Sequence, residues 1–252
     1  MFEFLRMVIA GSSFSGVAAQ GNNLLARIIM QDQGMGRFYL VIIAAIAAAY
    51  FLGNISPATL IGRAMGVDIK KEGSGNAGTT NVARVLGVKA AAGTLLIDVC
   101  KGMAAVLLGR ALGGDFLAMI VVLPVILGHI WPMVLRFQGG KGVATAFGAL
   151  VILDPAIGFG ELAVVVLGVL ISRRMSVGSF AGCAGLPVLS WFLLPPFFPD
   201  GLCIGLIVLF KHRTNIMRVA RGEEPPISFG HRKQGTAEER KHQTGQSGEQ
   251  ER

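Results

Sequence analysis

Seven apolar stretches follow one another along most of this chain, with short polar connections between them. The first, at about residues 38–61, is long enough to cross about 30 Å of hydrocarbon as a helix. Lipid offers no hydrogen-bonding partners, so segments that span a bilayer form helices. The other stretches lie near residues 90–112, 115–136, 143–154, 156–172, 177–196 and 199–211. The sequence therefore predicts an all-α integral membrane protein with seven transmembrane helices.

The composition supports a membrane protein and argues against a nucleic-acid-binding one. Only 15% of the residues are charged, whereas 52% are hydrophobic. A soluble domain usually carries about 25% charged residues. The formal net charge is +8, but no basic stripe is interleaved with exposed aromatic residues. We expect basic groups at membrane edges or around anionic substrates instead.

The connections between the stretches alternate in charge, which predicts the orientation of the chain. Those after the first, third, fifth and seventh stretches are rich in Lys and Arg, whereas the others carry little positive charge. Positive connections stay on the cytoplasmic side. With seven spans, the N-terminus is therefore expected outside and the C-terminus in the cytoplasm. The basic residues concerned are Arg63, Lys70, Lys71, Arg84, Lys89, Arg136, Lys141, Arg173, Arg174, Lys211, Arg213, Arg218 and Arg221.

The two ends of the chain differ from the apolar middle. Residues 1–37 are mixed in character, and we interpret them as an N-terminal extension of unknown role. Residues 38–222 form the expected membrane domain. Residues 223–252 are rich in Glu, Gln, Lys, Arg and Gly, which predicts a disordered cytoplasmic tail. The three cysteines lie singly in apolar stretches, so neither a disulfide framework nor a metal site is expected.

A glycine-rich loop after the first stretch has the composition of a phosphate-binding loop. It contains Gly73, Ser74, Gly75, Asn76 and Asn81. Glycines allow backbone N–H groups to approach an anion, and the polar side chains can donate hydrogen bonds. No GKS or GKT closes the loop, so it is not a Walker A motif. The alternative is a flexible loop of turn residues.

A second glycine-rich segment follows the third stretch. Gly139, Gly140, Lys141 and Gly142 precede an apolar run that can begin a helix. Free N–H groups and the helix dipole favour an anion at such a helix start. This predicts a second phosphate site on the same side of the membrane. The alternative is a glycine turn with a lysine at the lipid interface.

Ionisable residues within apolar stretches are costly and are often functional. Asp98 and Lys101 lie three residues apart, so they share a helix face and can form an ion pair. His129 and His212 lie at the ends of stretches, where each can be a structural residue or take part in proton transfer. Glu161 is expected on the outer side of the fifth stretch, apart from the site.

Serines at the cytoplasmic ends of the stretches have two interpretations. Ser56 lies near Arg63, and Ser176 lies near Ser179. Their hydroxyls can hold a phosphate or a glycerol, or they can cap helices. The sequence shows no catalytic triad, Cys/His metal set or dinucleotide fingerprint. Two anion sites without a nucleophile indicate direct transfer between two bound phosphorylated substrates.

Three other classes of membrane protein compete with this interpretation. A transporter for a phosphorylated metabolite would also need basic, glycine-rich elements, but with access from both faces. A phosphotransferase acting on nucleotide-linked alcohols would need a cluster of aspartates for metal ions. A structural membrane module would leave both glycine-rich segments unexplained.

Three motifs, taken in order, resemble the bacterial acyl-phosphate:glycerol-3-phosphate acyltransferase family, PlsY. They are GSGNAGTTN at residues 73–81, GHIWPMVLRFQGGKGVATAFGAL at residues 128–150, and KHRTNIMR followed by RGEEP at residues 211–225. The resemblance extends over about residues 38–222. Asn54 stands where the family usually has Ser, and Thr79 replaces the common Ala.

The resemblance implies a seven-spanning enzyme of the bacterial inner membrane. It implies acyl transfer from acyl-phosphate to the sn-1 hydroxyl of glycerol 3-phosphate, without a metal or other cofactor, and functional coupling to the enzyme that makes acyl-phosphate. The implied catalytic residues are His212, Ser176 and Asn215. The substrate-binding set, joined with the glycine-rich segments above, comprises Ser56, Arg63, Gly73, Ser74, Gly75, Asn76, Asn81, His129, Gly139, Gly140, Lys141 and Gly142.

Overall fold

The computed structural model describes residues 34–226, and over that range the chain forms helices and no β-strand. Two 3-10 turns, Met133–Leu135 and Pro195–Phe197, connect helices. In chain order the helices are α1 Gly34–Gly53, α2 Pro57–Ala64, α3 Thr79–Leu86, α4 Val88–Ile120, α5 Val122–Ile130, α6 Val143–Leu153, α7 Pro155–Ser172, α8 Met175–Leu193, α9 Phe198–Lys211 and α10 Arg213–Ala220.

The first predicted stretch is broken near its end, where a continuous helix was expected. The chain leaves the helical conformation before α2, and Ser56 adopts an extended conformation with φ −109° and ψ 92°. Pro57 disfavours a helical residue before it and has no N–H group to donate. Ser56 caps α2 by accepting a hydrogen bond from the backbone N–H of Thr59 at 3.4 Å. The two helices consequently meet at a polar break.

Helix α4 folds back on itself at two glycines. Gly113 and Gly114 have non-helical angles, and Gly114 has a φ of 63°. A Cβ atom built on Gly109 would lie 2.8 Å from the carbonyl oxygen of Leu117, so the segment after the kink runs against the segment before it. The predicted connection at residues 113–115 lies at this kink. The next stretch, predicted to reach residue 136, ends as a helix at Ile130.

Close contacts at small residues hold the helices together. A Cβ atom on Gly102 of α4 would lie 2.8 Å from the backbone nitrogen of Ala149 in α6. A Cβ atom on Gly53 of α1 would lie 3.0 Å from the Cα atom of Gly128 in α5. Small residues allow helix backbones to approach closely, which is how helices associate in a membrane. The surrounding core includes the buried residues Val106, Leu117, Val122, Ile126 and Leu150.

Four segments are long and apolar enough to cross a membrane: Tyr39–Ala64, Val88–Ile120, Pro155–Ser172 and Met175–Leu193. Large apolar side chains cover their outer surfaces, and Ile171 and Phe192 are 85% and 75% exposed. Such a surface suits lipid rather than water. Helix α6 is short, as expected for the fourth stretch. The count of seven spans and the orientation of the termini stay predictions.

The predicted cytoplasmic connections meet at one end of the bundle. Nζ of Lys70 donates to the carbonyl oxygen of Leu135 at 3.4 Å, and the ammonium of Lys211 lies over the ring of Trp131. At the opposite end, Arg110 donates to the carbonyl oxygens of Ile152 and Leu153 at 2.9 and 3.0 Å. The polar groups discussed below therefore belong to one end of the structure.

Candidate functional site

Asn81 organises the first glycine-rich loop from the inside. Its Nδ2 atom donates to the carbonyl oxygens of Ile69 and Glu72 at 3.1 and 3.0 Å. Its Oδ1 atom accepts the backbone N–H of Ser74 at 2.8 Å. Asn81 is buried in α3, a helix inside the segment that was expected to be a loop. Its amide is thus occupied by the backbone, and it shapes the loop that was predicted to bind substrate.

The second glycine-rich segment lies directly against the first. Backbone N–H groups of Gly139 and Gly140 donate to the carbonyl oxygens of Ile130 and His129 at 3.2 and 3.1 Å. A Cβ atom on Gly140 would lie 2.9 Å from the carbonyl oxygen of Ala77 in the other loop. Gly142, with a φ of 91°, then begins α6. The two predicted phosphate sites are therefore neighbours at one end of the bundle.

A buried polar cluster lies behind the second loop. Nζ of Lys101 is 2.7 Å from Oδ1 of Asp98 and 2.8 Å from Nδ1 of His129. The same ammonium donates to the carbonyl oxygens of Gly53 and Ile55 at 3.1 and 2.6 Å, at the break between α1 and α2. The ion pair that the spacing of Asp98 and Lys101 predicts is present. His129 belongs to this cluster and packs against Gly140, so its placement is structural.

Lys141 takes part in a chain of hydrogen bonds that ends beyond α10. Its Nζ atom donates to Oδ1 of Asn215, and Nδ2 of Asn215 donates to Oε1 of Glu224 at 2.8 Å. Nε of Arg218 lies 3.2 Å from Oε2 of Glu224. Asn215 and Glu224 are buried. The predicted residues Lys141 and Asn215 are thus in direct contact, and Glu224 orients the amide of Asn215.

The electrostatic surroundings of Lys141 favour binding of an anion. Burial lowers the pKa of its amine to about 8; the carboxylate of Glu224 opposes this shift, and the charges of Arg218, Arg84 and Lys211 add to it. Several cations therefore lie within electrostatic range of one ammonium, with one buried carboxylate among them. A phosphate group would relieve their mutual repulsion and accept their hydrogen bonds.

His212 presents one ring nitrogen as an acceptor. Its Nδ1 atom lies 2.8 Å from the carbonyl oxygen of Val208. A carbonyl only accepts, so Nδ1 carries the proton in the neutral ring and Nε2 has the lone pair. Burial lowers the pKa of His212 to about 4, the charge of Lys141 adds to this shift, and the hydrogen bond to Val208 opposes it. The imidazole is therefore neutral at physiological pH.

Ser176 has an unused hydroxyl on α8, the helix whose Phe180 packs against the same histidine. The residue is buried in the first turn of α8, and its Oγ atom has no hydrogen-bond partner. Phe180 lies one turn further along the same helix face, and its ring is 5.7 Å from that of His212, edge to face. Buried hydroxyls are normally hydrogen-bonded, so this one is available to a bound molecule.

The remaining predicted residues lie in or just before α2 and in the first glycine-rich loop. Ser56 caps α2, as noted above, and its Oγ atom lies 3.0 Å from the Oγ1 atom of Thr59. Arg63 is an exposed residue of α2, and its charge acts on Lys70. Gly73, Ser74 and Gly75 are exposed in the first loop, and Asn76 is partly buried there. The structure thus brings Arg84, rather than Arg63, into the field of Lys141.

Glu224 and Arg84 belong to the site although they were not among the predicted residues. Arg84 was noted only as a source of charge, and Glu224 lies in a segment interpreted as tail. The structure describes residues 223–226, and Glu224 is buried, so the folded part of the chain continues past residue 222. A signal for Glu224 was present in RGEEP, an acidic pair at the end of an otherwise basic helix.

Metal ligands are not grouped anywhere in the described part of the chain. Over residues 34–226, no three His, Cys, Asp or Glu side chains lie together so that they could hold an ion. Cys100, Cys183 and Cys203 are free thiols. The arrangement can bind anions and move a proton through the residues described above.

Comparisons with known proteins give one consistent result. The family model "Glycerol-3-phosphate acyltransferase" matches residues 43–222. The glycerol-3-phosphate acyltransferase of Clostridioides difficile is 43% identical over 201 residues, covering 75% of this chain and 96% of that protein. The protein of the same description from Alkaliphilus metalliredigens is 38% identical over 192 residues, covering 75% and 97% respectively.

Two crystal structures also share the fold. Both are of PlsY (YgiH), an integral membrane glycerol 3-phosphate acyltransferase. Its glycerol 3-phosphate form has a TM-score of 0.71 at 29% identity and covers 74% of this chain and 96% of that one. Its lysophosphatidic acid form has a TM-score of 0.69 at 29% identity, with coverage of 75% and 96%. Each match covers most of the helical region described above.

Proposed function

Because this chain belongs to the glycerol-3-phosphate acyltransferase family, we propose that it transfers a fatty acyl group from acyl-phosphate to the sn-1 hydroxyl of glycerol 3-phosphate. The products are lysophosphatidic acid and inorganic phosphate. The observation that carries this proposal is the cluster around Lys141, where cations from separate helices surround one ammonium beside two adjoining glycine-rich loops. Both substrates carry a phosphate group, and the cluster suits phosphates.

The two loops divide the binding of the substrates between them. Lys141, with Arg84 and the free backbone N–H groups of the first turn of α6, binds one phosphate group. Gly73, Ser74, Gly75 and Asn76 in the first loop bind the other, with Ser56 and Arg63 at its edge. Asn81 and His129 support these loops from behind. Asn215 orients the ammonium of Lys141 through the hydrogen bond between their side chains.

The reaction needs alignment and charge stabilisation more than a strong base. The carbonyl of a mixed anhydride is already activated, so the acceptor hydroxyl attacks it and the bond to the phosphate oxygen breaks. The hydroxyl of Ser176 donates to the tetrahedral oxyanion, and Lys141 stabilises the departing phosphate. The proton of the attacking hydroxyl goes to Nε2 of His212 or to a phosphate oxygen of the substrate. Neither route uses a metal.

The membrane gives each substrate its own path. We place the seven spans of residues 38–222 in the bacterial inner membrane, with the N-terminus outside and the C-terminus in the cytoplasm. The acyl tail stays in lipid while its phosphate enters the basic end of the bundle. Glycerol 3-phosphate arrives from the cytoplasm, and the lysolipid leaves sideways. Functional coupling to the enzyme that makes acyl-phosphate would supply the donor at the membrane.

Purified protein in detergent, given glycerol 3-phosphate with palmitoyl-phosphate or palmitoyl-CoA, tests the proposal. We expect lysophosphatidate from palmitoyl-phosphate alone. Product from palmitoyl-CoA alone would refute the choice of donor, and product from neither would favour a transporter. The variants Ser176→Ala and Lys141→Met should lose activity, because each removes a group that contacts the reacting atoms.

His212→Ala separates the two routes for the proton. If His212 accepts it, this variant should lose most of kcat, and the wild type should lose activity only at acidic pH, near the lowered pKa of about 4. Full turnover of His212→Ala with an unchanged pH profile would assign the proton to the substrate phosphate instead.

A further inference from the structure

A mostly apolar cavity lies between α6, α7, α8 and α9, directly behind the proposed phosphate site. Val143 lines it two residues after Lys141, and Val208 lines it one helical turn before His212. The unfilled space, including the open solvent at its mouth, is about 510 Å³. Leu150 and Leu186 line the end that lies away from the phosphate site.

Glu161 is the exception in this apolar lining. Its Oε2 atom is buried and has no hydrogen-bond partner. A Cβ atom on Gly182 would come within 2.5 Å of its Oε1 atom, and one on Gly185 would lie 3.5 Å from Oε2. Gly182 on α8 thus makes room for the carboxyl group, which was expected on the outer side of the span, apart from the site. A leucine at this position would be buried at a lower cost in free energy than this carboxyl group.

Burying a carboxyl group in this position costs free energy unless another group forms a hydrogen bond with it. Polar groups inside the hydrocarbon region need partners, and those without them usually serve a function. The hydroxyl of Ser179, which also lines the cavity, donates to the carbonyl oxygen of Met175 at 3.1 Å. Ser179 is therefore satisfied within its own helix. The unpartnered carboxyl oxygen of Glu161 is what distinguishes this cavity from an ordinary apolar groove.

We propose that Glu161 determines which acyl chains the enzyme uses, by ending the apolar path that the chain follows. This inference rests on the proposed function. From Val143 to Leu150 is seven residues of helix, or about 10 Å at about 1.5 Å per residue. An extended acyl chain advances about 1.3 Å per carbon, given carbon–carbon bonds of about 1.5 Å, so about eight carbons fill this length.

The energetics favour a bend in the chain at that depth. A methylene group pressed against the carboxyl of Glu161 would offer it no hydrogen bond, so this carboxyl would stay unsatisfied. A chain that ends earlier leaves room for water. A longer chain leaves through the open side of the cavity into lipid, where further methylenes gain nothing from the protein. Carbons beyond about the eighth therefore do not improve recognition by this protein.

A series of saturated acyl-phosphates from butanoyl to palmitoyl tests the proposal, with each donor at the same mole fraction in nonionic micelles. For the wild type we expect kcat/KM to rise to about eight carbons and then stay level within twofold. Glu161→Leu should continue to rise, reaching about fivefold between decanoyl and palmitoyl. Glu161→Gln keeps a polar group of the same shape, so its profile should stay within twofold of the wild type.

Two results would overturn the proposal. One is a wild-type kcat/KM that rises evenly through palmitoyl. The other is an active Glu161→Leu protein with the wild-type profile. Glu161→Met is a second apolar variant for the case that Glu161→Leu does not fold, and the wild-type series decides independently of both. Absence of lysophosphatidate from every acyl-phosphate in the wild type would instead refute the proposed function.

Discussion

The ammonium of Lys101 lies 2.7 Å from the carboxylate of Asp98 inside the bundle, where both side chains are 2% exposed. The ammonium also donates to two carbonyl oxygens at the break between α1 and α2. Nδ1 of His129 lies 3.1 Å from the same carboxylate oxygen. The pair thus connects the first helix break with the loop that carries Lys141.

Removing one partner of this pair should destabilise the fold strongly. Lys101→Met leaves the Asp98 carboxylate buried without its ammonium counter-ion, and breaking such a buried pair typically costs about 3–5 kcal/mol. The double variant Asp98→Leu with Lys101→Met should lose less stability, because it leaves no buried charge without a counter-ion. Unfolding free energies in mixed micelles measure both. Lys71→Met is the control, since Lys71 and Asp68 form an exposed pair at 3.9 Å. A Lys101→Met protein as stable as that control would contradict the prediction.

Asn81→Ala should disorder the first loop. Asn76→Ala should only weaken the binding of glycerol 3-phosphate and leave the loop ordered. The first variant leaves two carbonyl oxygens and the N–H of Ser74 without their partner, at about 1–3 kcal/mol for each group that stays buried. We expect faster proteolysis within residues 70–80 and a higher KM for glycerol 3-phosphate. Asn76→Ala should raise KM with unchanged proteolysis. Equal proteolytic rates for the two variants would show that Asn81 does not organise the loop.

The pH dependence of the enzyme should reflect Lys141. Its pKa of about 8 means that the ammonium is present below that pH and is lost as the pH rises through it. Because the charged form attracts phosphate, kcat/KM should fall above about pH 8. In Lys141→Arg the guanidinium stays protonated to beyond about pH 12, so whatever activity it retains should not fall between pH 8 and 10. If kcat/KM of that variant falls above about pH 8 as it does in the wild type, another titrating group causes the fall.

Two truncations should separate the ordered end of the chain from its predicted tail. A chain ending at Pro226 keeps Glu224 and should retain wild-type activity. A chain ending at Gly222 loses the partner of Asn215 and Arg218, so kcat/KM should fall at least tenfold. Glu224→Gln keeps a hydrogen-bond acceptor for Asn215, so its kcat/KM should lie between those of the two truncated chains. Full activity of the chain ending at Gly222 would show that the Glu224 network is dispensable.

Much of the helical architecture follows from local patterns in the sequence. Apolar length predicts α7, α8 and α9 to within a few residues, and the glycine pair at residues 113–114 marks the kink in α4. The resemblance to a glycerol-3-phosphate acyltransferase family, inferred from three motifs, is confirmed by the matches. The break before Pro57 was missed because the apolar run continues across it, so hydropathy alone does not reveal it.

The site was less predictable because its contacts join distant parts of the chain. The motif GSGNAGTTN does not reveal whether Asn81 faces a substrate or its own loop, since both uses require an amide. Glu224 reaches Asn215 only because the chain after α10 turns back, and composition suggested that this segment was tail. Glu161 was expected apart from the site because of its position on the outer side of the fifth stretch, and position along a helix does not reveal which neighbours a side chain faces.

The contacts of Lys101 have a consequence for how this protein can change over generations. The residue contacts a carbonyl 46 positions earlier in the chain and an imidazole 28 positions later. Substitution of Asp98 or Lys101 alone leaves a buried charge without its counter-ion. Descendants of this protein should therefore keep both residues or replace them together, although neither needs to touch a substrate.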